Sequence, residues 1–121
     1  MIRFEHVYKE YPRSGLALND VSFEIRKGEL VFLTGHSGAG KSTVLRLIHM
    51  AERPTRGEVR VSGYSSSQIR SRDIALLRRK IGFVFQDFRL LPDRTAAENV
   101  AFALEVTGAR PAVIRTRVSR L

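Results

Sequence analysis

Apolar and polar residues alternate along the first 25 positions of the chain. In "IRFEHVYKEY" (2–11) the positions of Ile2, Phe4 and His6 alternate with those of Arg3, Glu5 and Val7, and "DVSFEI" (20–25) alternates in the same way. A side-chain period of two is typical of a strand with one face in water. We therefore predict two antiparallel strands, joined by the turn residues "PRSG".

The pattern changes at two short apolar segments. "LVFLT" (30–34) and "IGFVF" (81–85) are almost continuous apolar runs. Such runs are typical of strands that are covered on both faces, as in a parallel sheet between helices. A further strand is predicted at "EVRVSG" (58–63), followed by an exposed loop at "YSSSQ" (64–68). We therefore expect buried parallel strands in addition to the antiparallel layer.

Two segments in the first two thirds of the chain have helical periodicity. "KSTVLRLIHM" (41–50) carries apolar residues at helical spacing and is followed by Pro54 and Gly57, which stop a helix. Residues 71–80 form the second segment, with Ser71 as its predicted N-cap. The first of these helices directly follows a glycine-rich loop.

Two more helices are predicted towards the end of the chain. Thr95 and Glu98 have the spacing of a capping box, and Gly108 stands where a C-terminal glycine belongs. Pro111 is placed to begin the last helix. The apolar residues of that helix recur at Ile114, Val118 and Leu121.

The loop between the first apolar strand and the first helix is "GHSGAGKST" (35–43). It satisfies the phosphate-binding pattern G-x-x-x-x-G-K-[ST] in the strand–loop–helix context that the pattern requires. Glycines let the backbone fold around phosphate oxygens, and the N–H groups at the start of the helix supply positive potential. Lys41 is placed for the β and γ phosphates, Ser42 for Mg²⁺ and Thr43 for the α phosphate. The predicted nucleotide-binding residues are Gly35, His36, Ser37, Gly38, Ala39, Gly40, Lys41, Ser42 and Thr43.

Composition excludes several other classes of function. The chain has 121 residues and no cysteine, so disulfides, thiolate metal sites and cysteine nucleophiles are absent from it. Hydrophobic residues make up 43% and charged residues 27%, as expected of one globular domain. The three histidines lack metal-ligand spacing and are interpreted as surface or packing residues. The net charge of +9 attracts phosphates in general and does not identify their source.

Phosphoryl transfer also needs a carboxylate for the metal and a group that orients the attacking water. Asp87 stands near the end of an apolar strand, as a metal-binding aspartate does, but Gln86 occupies the position directly after the apolar run. The residues alone leave two alternatives open. One is a small P-loop kinase with Asp87 as metal ligand, and the other is a non-catalytic module whose basic surface binds nucleic acid or a protein.

Three features together resemble the first half of an ABC-type ATPase. They are "GHSGAGKST", the segment "IGFVFQDFRLLPDRTAAENVAFAL" and the aromatic Tyr11 upstream of the loop. The resemblance extends from Met1 to about Arg120 and is strongest to the cell-division ATP-binding proteins of the FtsE type. Lipoprotein-export and amino-acid-uptake ATPases share much of it. It implies an α/β fold, a P-loop NTPase core present in part, with parallel strands, helices and an N-terminal antiparallel β layer.

The resemblance also implies roles for individual residues. Tyr11 would stack on adenine, and Gln86 would contact Mg²⁺ and the attacking water. Lys41 and Gln86 would be the catalytic residues, and Ser42 and Gln86 the residues at the metal. The implied cofactors are ATP and Mg²⁺.

Partners and organisation follow from the same resemblance. It implies a homodimer of the full-length ATPase and an FtsX-like membrane permease that binds near Phe88–Leu91, with no nucleic acid. It also implies a cytoplasmic protein held on the inner face of the cell membrane. The expected divisions are an antiparallel layer (1–29), a P-loop core (30–86) and the start of a helical subdomain (87–121).

The sequence lacks several motifs that members of the family carry. Family members carry an LSGGQ signature, a Walker B aspartate and glutamate, and a switch histidine, and none of these has a counterpart in the 121 residues. We therefore expect an N-terminal portion of such an ATPase, which binds ATP without turning it over unaided.

Overall fold

The computed structural model describes residues 1–120, which form two compact units. The first unit runs from Met1 to Ile81 and the second begins at Gly82. The first contains strand β1 (Ile2–Tyr11), strand β2 (Gly15–Ile25), helix α1 (Lys41–Ile48), strand β3 (Arg56–Val61), strand β4 (Tyr64–Ser65) and helix α2 (Ser71–Arg78). The second contains helix α3 (Ala96–Val106) and helix α4 (Pro111–Val118). The three-part division expected from the sequence stays a prediction beside these two units.

The predicted antiparallel layer is present, and β1 is one of its two inner strands. The sheet has four strands in the order β2-β1-β3-β4, and each neighbouring pair is antiparallel. Phe4 stands opposite Phe23 of β2 and Val59 of β3. The rings of Phe4 and Phe23 stack with their centroids 4.5 Å apart. The strand predicted at 58–63 is β3, which begins and ends somewhat earlier.

The alternation of β1 is interrupted at His6. The backbone of His6 has a φ of 47°, and the pairing of β1 with β2 shifts between Phe4 and Val7. This bulge turns Val7 into the core, where it is 0% exposed, and leaves His6 in solvent. The prediction that His6 shares a face with Phe4 is therefore wrong. Gly57 permits the bulge, because a Cβ on Gly57 would lie 2.1 Å from the carbonyl oxygen of His6.

The core of the first unit joins both inner strands to α1 and α2. Arg78 of α2 donates hydrogen bonds to the carbonyl oxygens of His49 and Met50, each at 3.2 Å, and so pairs groups at the C-terminal end of α1. These contacts fix α1 in the unit and, with it, the loop that precedes the helix. The buried apolar residues are Phe4, Val7, Leu18, Val44, Leu47, Met50, Val59, Val61, Ile69 and Leu77.

The parallel strands predicted at 30–34 and 81–85 are absent from the described residues. Leu30 is 82% exposed, Phe32 80% and Val84 88%. An apolar run encodes a preference for cover on both faces, but a strand also needs a hydrogen-bonding neighbour on at least one edge. No strand within residues 1–120 pairs with either segment. The prediction of buried strands at these positions is therefore wrong for this chain.

Two local predictions in the first unit are also wrong. The segment 64–68 is not an exposed loop, because it contains β4 and the buried Ser66. The hydroxyl of Ser66 accepts a hydrogen bond from the N–H of Val59 at 3.0 Å, which allows a polar side chain to be buried. In α2, Ser71 is the first helical residue and the N-cap is Arg70, without a side-chain hydrogen bond.

The helices of the second unit agree with the sequence. The backbone N–H of Thr95 donates to the carboxylate of Glu98 at 2.7 Å, and the N–H of Glu98 donates to the hydroxyl of Thr95 at 3.3 Å. This capping box lowers the pKa of Glu98, chiefly through the backbone N–H of Thr95. Gly108 follows α3 with a φ of 78°, and Pro111 begins α4. Leu121 lies outside the described residues. None of the helices within residues 1–120 has the length and apolar character needed to cross a bilayer.

Candidate functional site

The glycine-rich loop leads directly into the N-terminus of α1. Gly40 is the N-cap, with a φ of 82° and a ψ of 2°, and its carbonyl oxygen accepts the N–H of Val44 at 3.0 Å. Thr43, Val44 and Leu47 are the buried residues of α1. The first N–H groups of a helix have no partner within it, so this end of α1 offers donors to an anion.

Gly40 and Gly38 serve the loop in different ways. Both have a φ of 82°, in the left-handed region that favours glycine. A Cβ on Gly40 would lie 2.6 Å from the carbonyl oxygen of Ala17 and 2.8 Å from a methyl carbon of Leu18. A Cβ on Gly38 would meet nothing within 4 Å. Gly40 therefore lets the loop approach β2 closely, whereas Gly38 only allows the turn.

These two glycines give a matched pair of substitutions. We expect Gly40→Ala to lower the free energy of unfolding by about 1 to 2 kcal/mol more than Gly38→Ala, because only the former adds a clash to the strained φ. Urea unfolding of both variants measures the difference. Equal losses would show that β2 shifts to accommodate the added methyl group, and that the close approach of Gly40 to β2 does not contribute to stability.

The side chain of Lys41 folds back onto the loop. Its Nζ donates to the carbonyl oxygens of Gly35 and His36, each at 2.7 Å. The N–H of Ala39 donates to the same carbonyl of His36 at 3.2 Å. The loop is thus closed around the ammonium group, which brings a fixed positive charge beside the first turn of α1.

Ser42 and Thr43 differ in their exposure. Ser42 is exposed, whereas Thr43 is 7% exposed. A hydroxyl oxygen suits Mg²⁺, which in nucleotide sites takes few protein ligands and completes its shell with phosphate and water. Ser42 therefore fits the metal role predicted for it. No group of three or more histidine or acidic residues within residues 1–120 could hold a metal by itself.

Tyr11, predicted to stack on adenine, lies in the same unit as the loop. It ends β1, and its hydroxyl donates to the carboxylate of Glu52 at 2.7 Å. Glu52 also lies 3.2 Å from Nζ of Lys9 and 3.3 Å from Nη1 of Arg46. Burial raises the pKa of Glu52, but the bond from Tyr11 and the two cations outweigh it, so this pKa lies below its ordinary range. Sequence analysis missed Glu52, because no local pattern marks it.

Gln86 and Asp87 belong to the second unit. Both are exposed in a turn after residues 81–85, and the Asp87 carboxylate lies 3.4 Å from Nε of Arg89. Phe88 and Arg89 have φ values of 56° and 48°, so the backbone turns sharply here. The roles assigned to Gln86 and Asp87 stay predictions.

A groove of about 480 Å³ lies where the following loop meets α3. Phe88 is 74% exposed and Leu90 68%, while Leu91 is half-buried. Asn99 of α3 holds the loop in place, because its side-chain oxygen accepts a hydrogen bond from the N–H of Leu91 at 2.8 Å. Its Nδ2 donates to three carbonyl oxygens, which include that of Leu91 at 3.1 Å. The groove is lined by Leu90, Leu91, Pro92, Arg94, Ala96, Asn99 and Val100.

Comparisons with known proteins agree on one family. A family model described as "ABC transporter" matches residues 18–120. The chain is 50% identical over 118 residues to "Cell division ATP-binding protein FtsE" of Bacillus subtilis (strain 168), which is 98% of this chain and 52% of that protein. It is 51% identical over 119 residues to the protein of that name from Escherichia coli (strain K12), 98% of this chain and 54% of that protein.

One solved structure similar to the chain is a dimeric, post-hydrolysis state of the ATP-binding cassette MJ0796 bound to ADP and Pi. The TM-score is 0.88 at 35% identity, and the match covers 99% of this chain and 55% of that one. This similarity confirms the predicted fold class, an α/β P-loop core present in part. The chain spans about half the length of the two curated relatives.

Proposed function

The chain belongs to the ABC transporter family, and on this premise we propose that it is the nucleotide-binding part of an ATP-binding subunit that acts in bacterial cell division. The subunit would couple the binding and hydrolysis of ATP to a membrane partner, as an FtsE/FtsX-like complex. The observation that carries the proposal is the loop 35–43, closed around Lys41 at the N-terminus of α1. Family membership leaves no reason to retain the small P-loop kinase as an alternative.

The proposed site holds ATP by three kinds of contact. The loop 35–43 would surround the phosphates with N–H groups and the ammonium group of Lys41. The hydroxyl of Ser42 would hold Mg²⁺, which neutralises phosphate charge when bound. The ring of Tyr11 would stack on the adenine base. The hydroxyl of Tyr11 is hydrogen-bonded to Glu52, which also contacts Arg46 in the second half of α1. A nucleotide with its phosphates in the loop and its base on Tyr11 would therefore lie along this helix.

Hydrolysis is proposed for the longer protein and its dimer. Gln86 would orient the attacking water and contact Mg²⁺, the role that the family resemblance gives it. The MJ0796 cassette is dimeric and bound to ADP and Pi in its solved structure. A homodimer of the full-length subunit is the corresponding proposal here.

The proposed membrane partner is an FtsX-like permease, which would bind the groove beside Phe88, Leu90 and Leu91. The groove combines exposed apolar side chains with a loop that Asn99 holds in place. Large exposed apolar side chains in a fixed loop are typical of a protein-binding surface. Such binding would keep the subunit in the cytoplasm, on the inner face of the cell membrane.

We expect the 121-residue chain to bind ATP with Mg²⁺ without releasing phosphate. The loop would provide binding, whereas the motifs that complete an ABC hydrolysis site have no counterpart among the 121 residues. Calorimetric titration measures binding, and a phosphate-release assay measures turnover on the same sample. Steady phosphate release that disappears in Lys41→Ala would contradict this expectation and would make Asp87 the metal ligand to test.

A further inference from the structure

A compact network of polar contacts surrounds the hydroxyl of Tyr11. Besides the bond from Tyr11, the carboxylate of Glu52 has Lys9 and Arg46 as partners at 3.2 and 3.3 Å. Lys9 also donates to the carbonyl oxygen of Arg53 at 2.9 Å. The side chains of Lys9 and Glu52 are only 15% and 25% exposed. A charged group with this many short contacts away from bulk solvent is held in one position.

The network also places a cation over the ring of Tyr11. Nζ of Lys9 lies over the ring, 5.0 Å from its centroid. A cation at this distance occupies one face of the ring. The hydrogen bond from the hydroxyl to Glu52 fixes the long axis of the ring, because rotation about the Cα–Cβ bond would break it. Rotation about the Cβ–Cγ bond leaves the hydroxyl in place, and Lys9 over the ring opposes it. A flat ligand that stacks on Tyr11 would therefore take the face opposite Lys9.

We propose that Glu52 is a positioning residue for the purine base, because its carboxylate fixes the hydroxyl, and with it the long axis, of a Tyr11 ring that Lys9 covers on one face. This inference rests on the proposed function, in which Tyr11 stacks on adenine. Glu52 does not touch the nucleotide in this arrangement. It acts by ordering the ring before the nucleotide binds, which reduces the conformational entropy lost on binding.

The expected signature is a loss of affinity that depends on the base. Glu52→Ala should weaken the binding of ATP by about threefold to tenfold, the range for ordering one side chain, and leave that of inorganic tripolyphosphate within about twofold. Tripolyphosphate has the phosphates of ATP and no base. The ratio of the two affinities cancels any general change in electrostatic attraction that the lost carboxylate causes.

Tyr11→Phe should have the same effect as Glu52→Ala, since it removes the hydroxyl and keeps the ring. The double variant should bind ATP no more weakly than either single variant, because both changes break the same hydrogen bond. Glu10→Ala is the matched control. Glu10 is an exposed glutamate on the same strand as Tyr11, and within residues 1–120 its carboxylate makes no hydrogen bond or ion pair.

Calorimetric titration of both ligands into each variant distinguishes the outcomes. Unchanged ATP affinity in Glu52→Ala would overturn the inference, as would an equal loss for ATP and tripolyphosphate, which indicates general damage to the fold. Additive losses in the double variant would do the same. Tyr11→Ala tests the proposed function separately: if it leaves ATP binding unchanged, stacking on Tyr11 is wrong, and the role of Glu52 fails with it.

Discussion

Lys41→Ala should weaken the binding of ATP by more than about 1.5 kcal/mol, which is more than tenfold. Lys41 carries the ammonium group around which the loop is closed, with the carbonyl oxygens of Gly35 and His36 at 2.7 Å. Its replacement removes the charge that would reach the β and γ phosphates, and it also frees the two carbonyl groups that the charge holds. Both effects reduce affinity for a triphosphate. Calorimetric titration with ATP and Mg²⁺ measures the change.

Lys27→Ala is the matched control for this variant. Lys27 is an exposed lysine between β2 and the loop, and its removal lowers the net charge by the same amount. If general attraction between a basic protein and an anion explained binding, the two variants would lose affinity equally, and both losses would shrink with added salt. Equal affinity of Lys41→Ala and the parent would contradict the proposal that the loop 35–43 binds the phosphates of ATP.

Phe88→Ser and Leu90→Ser should each abolish recruitment of the full-length subunit to a membrane that contains the permease, with ATP affinity unchanged within about threefold, or ~0.7 kcal/mol. Phe88 is 74% exposed and Leu90 68%, so neither side chain supports the core. Their loss would remove exposed apolar side chains from the proposed interface, and a few such residues supply most of the binding energy of a protein interface. Co-sedimentation with permease-containing vesicles measures recruitment.

Two further variants identify the reason for a loss of recruitment. Val113→Ser makes the same type of change on α4, where Val113 is 42% exposed, and should leave recruitment intact. Leu91→Ser should reduce recruitment and also destabilise the loop. Leu91 is half-buried, and its backbone N–H is hydrogen-bonded to the side chain of Asn99. Recruitment of Phe88→Ser and Leu90→Ser at the parental level would show that the permease binds elsewhere.

The apolar segments 30–34 and 81–85 show how far an apolar pattern is informative. Their composition predicts burial, yet Leu30 and Phe32 are at least 80% exposed. The pattern specifies what a segment prefers as its surroundings, and it does not specify which segments supply them. The alternation in β1 failed at His6 for a related reason, since a bulge that is accommodated by Gly57 of another strand reverses the faces.

The sequence by itself determined the features that depend on a few neighbouring residues. The glycine-rich loop before α1, the capping box at Thr95 and the helix start at Pro111 all follow from local backbone geometry and local hydrogen bonds. These rules operate within one or two turns of chain, so the order of the residues is sufficient to recognise them.

Only the tertiary structure decided the contacts between distant parts of the chain. Tyr11 and Glu52 are 41 positions apart, and no sequence pattern around either residue indicates that their side chains form a hydrogen bond. The close approach of Gly40 to β2 likewise depends on how α1 packs on the sheet. Such pairings are set by the way whole elements bury their apolar faces together, and this is a property of the folded chain as a whole.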